Sequence, residues 1–515
     1  MAEDSNNNTD VFVYTEGLVV PRHVVRVRVH PSVTAIPEKA FKERYNLEEV
    51  ELCEGLLEIG AYAFENCYKL KRINIPSTVE IIEGWALAYT PISDILLPAD
   101  VEILGKYTFA ATKLIKFRVP SQTTDDTQGM FSCCGHLMSV ELPVSVKKFE
   151  GDAFSYCNSL RNVALSSDAE VVASFSFSDH FDNCRDLHKL FGKPSRNEES
   201  SAILNALKHR FDNLPIHKMI YYQSYNNMTV DQLNDATCIR ISQRRSKLNP
   251  TGSQQDCLGM TPLHILACST LQNIELYKVL VDKYPETLIT KDRWGALPLL
   301  YAVWGDAPKE ILQFLVESYK SHNPNFVFNW TSMVTSLGIA GAPLEVIQYL
   351  LDLQKECFSD QLIDWDAVIE KLAVEPRLVR VDRVKAFQFL VKCSFMDRIN
   401  AIGLNHYRNS MINTVMSPGF KMPYDIHDEG ETWLDGIKSK FAEYESRYQE
   451  LKEGTIMIEL TLWKMKLNDQ SKGENMNSGR QSKKMKIDRN QYRVSCGAAI
   501  VIQHVLPYLV PLLGN

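Results

Sequence analysis

The sequence predicts an α/β repeat protein: a solenoid of short parallel strands, then an α-helical stack, then further C-terminal helices. Three observations lead there. A unit of about 22–23 residues recurs from about residue 25 to 191, and a second, longer unit begins after residue 250. The chain, at 515 residues, is also too long for one compact core.

The first unit is clearest around "AFENCYKLKRINIP" (63–76). Ile59-Gly60, Ala63-Phe64, Cys67, Leu70, Ile73, Ile75 and Pro76 form a spaced pattern. The preceding unit reads Ile36, Ala40-Phe41, Arg44, Leu47, Val50 and Leu52. The following ones read Ile82, Ala86-Leu87, Thr90, Ile92, Ile95, Leu97, then Leu104, Thr108-Phe109, Thr112, Leu114, Phe117, Val119. After the polar insert "SQTTDDTQG" come Phe131, Cys134, Leu137, Val140, Leu142 and then Phe149, Ala153-Phe154, Cys157, Leu160, Val163, Leu165. A degraded last turn is expected at Phe181, Cys184, Leu187 and Leu190. L-x-x-I-x-I alternates as a short half-buried strand, and A-F-x-x-C turns the chain back with Phe in the core. One unit cannot bury its own apolar face, so the units must stack. Arg and Thr fill the Cys67 position in other units, which makes that cysteine a packing residue and not a nucleophile or metal ligand. Residues 1–19 are expected to be disordered and 20–192 to form the solenoid.

This pattern resembles the BspA-type leucine-rich repeats, over about residues 25–191. The resemblance implies a curved right-handed solenoid, with a parallel sheet on its concave face and a role in recognition.

The strand register assigns the outward residues. One row is Arg26, Glu49, Arg72, Asp94, Lys116, Ser139 and Asn162; its neighbour is Arg28, Glu51, Asn74, Leu96, Arg118, Glu141 and Ala164. Strands about 4.8 Å apart would set each charge of the first row beside an opposite one. Two readings stand: a self-neutralising ladder, or a polar strip for a mixed-charge protein partner. Candidate partner-binding residues are Arg26, Arg28, Glu49, Glu51, Arg72, Asn74, Asp94, Lys116, Arg118 and Glu141. Mixed charge along both rows argues against a polyanion track and so against nucleic acid.

The second unit is helical. "DCLGMTPLHILACSTLQNIELYKVLVDKYP" carries Asp256, Gly259, Thr261-Pro262-Leu263-His264 and Ala267, and "DRWGALPLLYAVWGDAPKEILQFLVESY" repeats it with Asp292, Gly295, Pro298-Leu299 and Ala302. Gly259 permits a tight turn, Thr261 caps the helix, Pro262 enters its first turn, and His264 is expected to bond neighbouring turn backbone. Pro215-Ile216-His217 stands in the same register, "APLEVIQYLLD" echoes "APKEILQFLVE", and "RVKAFQFLVKC" (383–393) suggests a further unit. These units resemble ankyrin repeats, over residues 201–360, and the resemblance implies protein binding.

A helical extension is expected over 361–467, with Phe441, Tyr444, Tyr448, Leu451 and Ile456 on one face. Residues 468–490 read as a flexible polar linker; their Lys483, Lys484, Lys486 and Arg489 are either solvated charge or a nuclear-import patch. The apolar 491–515 contains "VSCGAAIVIQHVLPYLVPLL" (494–513). It is read as packing back on the protein, with Gln503, His504, Pro507 and Pro511 opposing the alternative of a membrane tail anchor. The order of segments resembles large paralogous repeat-protein families of diatoms and related algae.

A net charge of −7 and 23% charged residues give no global attraction to nucleic acid or anionic membrane. Twelve cysteines without a C-x-x-C pair, behind a polar N-terminus with no apolar signal core, point to reduced thiols and a cytoplasmic setting. No phosphate loop, dinucleotide fingerprint, nucleophile elbow, zinc-protease or calcium-loop motif occurs. The expectation is a non-catalytic scaffold or adaptor without cofactors that binds protein partners through both repeat systems. A tail-anchored sensor is the alternative, and the sequence does not specify an oligomeric state.

Overall fold

The computed structural model describes residues 11–123, 128–150, 152–168, 170–172, 181–192, 199–223, 252–340, 342–374 and positions 386, 389, 390, 393 and 394. The chain divides into two compact units, Met1–Met333 with Glu345–Leu362, and Val334–Leu344 with Ile363–Asn515.

In the first unit most turns of the repeat supply two short strands. They are β1 (Val11–Tyr14), β2 (Arg26–Val29), β3 (Ala35–Ile36), β4 (Glu49–Glu51), β5 (Glu58–Ile59), β6 (Arg72–Ile73), β7 (Ile81–Ile82), β8 (Ile103–Leu104), β9 (Lys116–Arg118), β10 (Ser139–Glu141), β11 (Lys148–Glu150) and β12 (Glu170–Val172). L-x-x-I-x-I strands form the parallel sheet β1-β2-β4-β6, continued after an interruption by β9-β10 and a bridge from Ser139 to Asn162. The expected register is met: Arg26 lies opposite Glu49, Glu49 opposite Arg72, and Arg118 opposite Glu141. A second parallel sheet, β3-β5-β7-β8, runs through the Ile59-type positions.

The A-F-x-x-C segment links turns by a backbone ladder of its own. Tyr62, Trp85 and Tyr107 hold φ of 57°, 60° and 55°, and Asn66, Tyr89 and Ala111 repeat the left-handed conformation four residues later. That geometry aims alternate N–H groups at the next turn: Tyr62 N bonds Gly84 O, Phe64 N bonds Ala86 O, and Asn66 N bonds Ala88 O. Bulky residues rarely adopt positive φ, and here stacking offsets the strain. The Tyr62 and Trp85 rings lie 6.2 Å apart and those of Trp85 and Tyr107 lie 4.5 Å apart. Lys39 sits over the Tyr62 ring at 5.4 Å, and at the other end a Cβ on Gly129 would come within 2.1 Å of the Tyr107 ring. Inside, Phe41, Phe64, Phe109, Phe131 and Phe154 are fully buried, each contributing on the order of 1.5–3 kcal/mol.

Two expectations fail at the ends. Val11–Tyr14, expected in a disordered N-terminus, forms β1 beside β2, with Tyr14 packed on Phe41 at 5.0 Å. Phe181 and Cys184 continue the repeat, since Phe181 stacks on Phe154 at 5.4 Å. The strand expected at Leu187 is instead α1 (Arg185–Phe191), which starts the helical block.

That block contains α2 (Glu199–Lys208), α3 (Pro215–Tyr221), α4 (Pro262–Cys268), α5 (Ile274–Lys283), α6 (Pro298–Trp304), α7 (Lys309–His322), α8 (Trp330–Ala340) and α9 (Leu344–Cys357) among the described residues. The second repeat is visible in its turns. Asp256 Oδ1 accepts from Leu258 N and Met260 N at 2.9 and 2.8 Å, and Asp292 Oδ1 accepts from Trp294 N and Ala296 N at the same distances. Gly259 and Gly295 take φ of 76° and 81°. His264 Nδ1 accepts from Thr261 N at 3.2 Å, so Nε2 is the donor to Ala296 O at 3.2 Å. This makes the side chain a neutral clamp between units, and burial pushes its pKa down. His217 repeats the contact with Gln254 O at 3.1 Å.

The second unit is described mainly by the C-terminal part of α8 and by α10 (Trp365–Val374). Gly338 of α8 lies so near Leu372 and Leu390 that a Cβ would come within 2.8 Å of either. Within "RVKAFQFLVKC" the described positions Ala386, Phe389, Leu390 and Cys393 are helical. The aromatic face at 441–456, the linker 468–490 and the apolar segment 494–513 lie outside the described residues. Among the described residues no helix is long and apolar enough to cross a membrane.

Candidate interaction surface

The ten candidate residues fall on one face of the strands, and the fold divides them. Arg26, Arg28, Glu49, Glu51, Arg72, Asn74 and Asp94 are exposed. Arg26 Nε pairs with Glu49 at 3.2 Å and Arg28 Nε with Glu51 at 2.5 Å. The Arg28 hydrogen bond lowers the pKa of Glu51, and the same bond raises that of Arg28. The expected ladder of opposite charges therefore forms over its first step in each row. The next step keeps its register, Glu49 opposite Arg72, without an ion pair, and beyond it no strand is formed at Asp94. Arg72 and Asp94 are the open charges next to that break, with Leu96, 71% exposed, in the neighbouring row.

From Lys116 onward the face is covered by the helical block, which corrects the expectation that Glu141, Lys116 and Arg118 face solvent. Lys116 and Arg118 are half-buried and Glu141 is buried. Glu141 Oε1 accepts from Ser269 Oγ and Thr270 N, both at 2.8 Å, and Oε2 accepts from Thr270 Oγ1 at 2.9 Å. The turn after α4 thus supplies three donors to one carboxylate. Lys116 Nζ reaches Ser269 O at 3.5 Å, and burial lowers its pKa. Deeper in, Arg210 donates to Asp256 Oδ2 at 2.8 Å, Asn162 Oδ1 at 2.7 Å and Val163 O at 2.9 Å. The Tyr221 hydroxyl donates to Val140 O at 2.6 Å and accepts from Ala164 N at 3.1 Å, which satisfies strand backbone where the sheet ends. Arg161 pairs with Asp186 at 2.6 Å and lies 5.1 and 5.0 Å from the rings of Trp294 and Trp304. Sequence periodicity marks which residues leave the strand face; it carries no signal for what lands on that face.

The cysteines of the repeat are held as packing groups. Cys67, Cys134, Cys157 and Cys184 donate at 3.0–3.1 Å to the carbonyls of Phe41, Phe109, Phe131 and Phe154 in the preceding turn. Thr90 and Thr112 instead donate to Leu87 O and Phe109 O of their own turn, at 2.7 and 2.9 Å. Burial pushes the Cys67 thiol up to about 12 and that of Cys134 to about 11, the reverse of what a nucleophile requires. Among the described residues no group of His, Cys, Asp and Glu is arranged to hold a metal ion.

Residues 24–125 and 86–193 match the family model of the BspA type leucine rich repeat region, in six copies. The chain is also similar to a leucine-rich repeat protein from Bacteroides ovatus ATCC 8483, at 28% identity and a TM-score of 0.29, with 30% of this chain and 41% of that one covered. Against the T. pallidum leucine rich repeat protein the identity is 25% and the TM-score 0.28, covering 35% and 82%. A leucine rich cell surface protein from Faecalibacterium prausnitzii A2-165 follows at 17% and 0.18, covering 32% and 71%. The chain thus spans less than half the length of the Bacteroides ovatus protein. No curated protein matches. The region from residue 24 to 193, with its strands, turns and cysteine register, is thus similar to the BspA type leucine rich repeat region.

Proposed function

We propose that the protein is a non-catalytic interaction scaffold whose recognition surface is the uncovered part of the strand face, from Arg26 to Leu96. One observation carries the reading: the same face that takes up the helical block from Lys116 onward is open before it, and it presents Arg72, Asp94 and Leu96 at the boundary. Similarity to leucine-rich repeats, which mediate protein–protein contacts, supports a protein partner. The helical block reads as ankyrin-like, supported by the paired Asp256/Gly259 and Asp292/Gly295 turns and the His264 clamp. In this reading it is a second binding element fixed to the first and not an independent module, because its turns already satisfy Glu141 and Asn162.

The test uses the full chain as bait, with captured proteins then measured individually. Combined Arg72→Glu and Asp94→Lys substitution should weaken a true partner at least tenfold and leave the unfolding midpoint unchanged. Partners insensitive to that pair move recognition elsewhere, and turnover of a substrate by the purified protein refutes the scaffold.

A further inference from the structure

The two ends of the solenoid are finished differently. Past the last strands, α1 follows directly with Leu187 buried, Leu165 N bonds Leu207 O, and Tyr221 closes the strand backbone. At the other end β1 is the terminal strand of its sheet among the described residues. Its sequence, VFVY, carries no charge, and Val11 and Val13 are 37% and 48% exposed. Leu18, Val19 and Val25 of the same turn are also exposed, Val19 at 83%. Terminal repeats of solenoids ordinarily carry a polar outer face, and edge strands ordinarily carry charge, proline or a bulge. This edge has none of those within β1.

We propose that β1 is a self-association edge at which two copies of the chain pair antiparallel across a two-fold axis. Self-complementarity selects a second copy over another occupant. Tyr14 is 2% exposed and engaged by Phe41, which leaves residues 11–13 for pairing. An axis through Phe12 sets Phe12 opposite Phe12 on one face, and Val11 opposite Val13 twice on the other, because directly opposite residues of antiparallel strands share a face. Such an isologous contact closes at two copies. The cations one strand in, Arg26 and Arg28, are neutralised within their own chain by Glu49 and Glu51, so two edges meet without like-charge opposition.

Sedimentation velocity on the full chain from about 1 to 100 µM should show a concentration-dependent monomer–dimer equilibrium. Val13→Lys, at an exposed position, should raise the dimer dissociation constant at least tenfold with the same unfolding midpoint. Opposite Cα atoms in such a pair lie about 4.5–5.5 Å apart, within disulfide range. Phe12→Cys should therefore give a covalent dimer under mild oxidation where the unsubstituted chain does not. A monomer throughout the concentration range overturns the proposal. So does a dimer that Val13→Lys leaves intact, or a Phe12→Cys variant that dimerises without the cross-link. An edge filled by a strand of another protein would appear as the first of these.

Discussion

Arg210 and Asp256 meet at 2.8 Å with no part of either side chain exposed. Asp256 belongs to the first clear turn of the second repeat, and Nη1 of Arg210 donates to Asn162 and Val163 of the first. One ion pair therefore ties the two repeat systems together. Removing a single partner strands a buried charge, so Arg210→Met should cost about 3–5 kcal/mol, read from urea unfolding. Replacing both, as Arg210→Met with Asp256→Leu, should recover much of that loss. An unchanged midpoint in Arg210→Met would mean that the two systems unfold independently.

Gly129 is required by its neighbour's ring and not only by its own φ of 59°. Ala111 shows that alanine is accepted at positive φ in this solenoid. Gly129→Ala should nevertheless destabilise by about 1–3 kcal/mol, as overpacking does. Combining it with Tyr107→Ala should remove most of the added cost of the methyl group, measured as the coupling energy of a double-mutant cycle.

Thiol chemistry should follow burial. Iodoacetamide at pH 8 should modify exposed Cys133 in the native protein and spare Cys67, Cys134 and Cys157 until unfolding, as read by mass spectrometry. The Cys67 thiol is raised to about 12 when folded. Its contribution to stability is therefore complete below its unfolded value near 9 and lost as pH climbs from there toward 12.

His217 titrates in the opposite sense. Burial lowers its pKa from 6.5 to about 4, so the unfolded chain holds the extra proton between those values. Its contribution is complete above pH 6.5 and falls toward pH 4, at on the order of 1 kcal/mol per unit. His217→Asn should flatten that slope in urea unfolding, whatever it does to the stability at pH 7.

How much of this was legible depended on how local the cause was. The row Arg26, Glu49, Arg72 follows from period-two alternation within one turn, and its partners from the spacing of the unit. The His264 clamp followed from a motif of four residues. Glu141 was misplaced because Ser269 and Thr270, which cover it, lie more than a hundred positions away, and nothing in either segment names the other. Strand β1 was missed because VFVY lacks the A-F-x-x-C half of the unit and follows a polar stretch. The stacked Tyr62, Trp85 and Tyr107 were visible as residues but not as a stack, since their placement needs a backbone conformation that aromatic residues seldom take.

The threonines at 90 and 112 have a mechanical consequence. In their turns the sulfur bond to the preceding Phe carbonyl is replaced by one that closes on the same turn, and the main strand sheet is interrupted between β6 and β9. From about residue 85 to 115 the strand side of the solenoid is therefore joined by isolated backbone bonds, Lys113 N to Ile92 O and Ile115 N to Ser93 O, while the other side keeps the aromatic stack and the second sheet. A tension applied along the solenoid should bend it there first, with Asp94 inside that span and Arg72 on the strand before it.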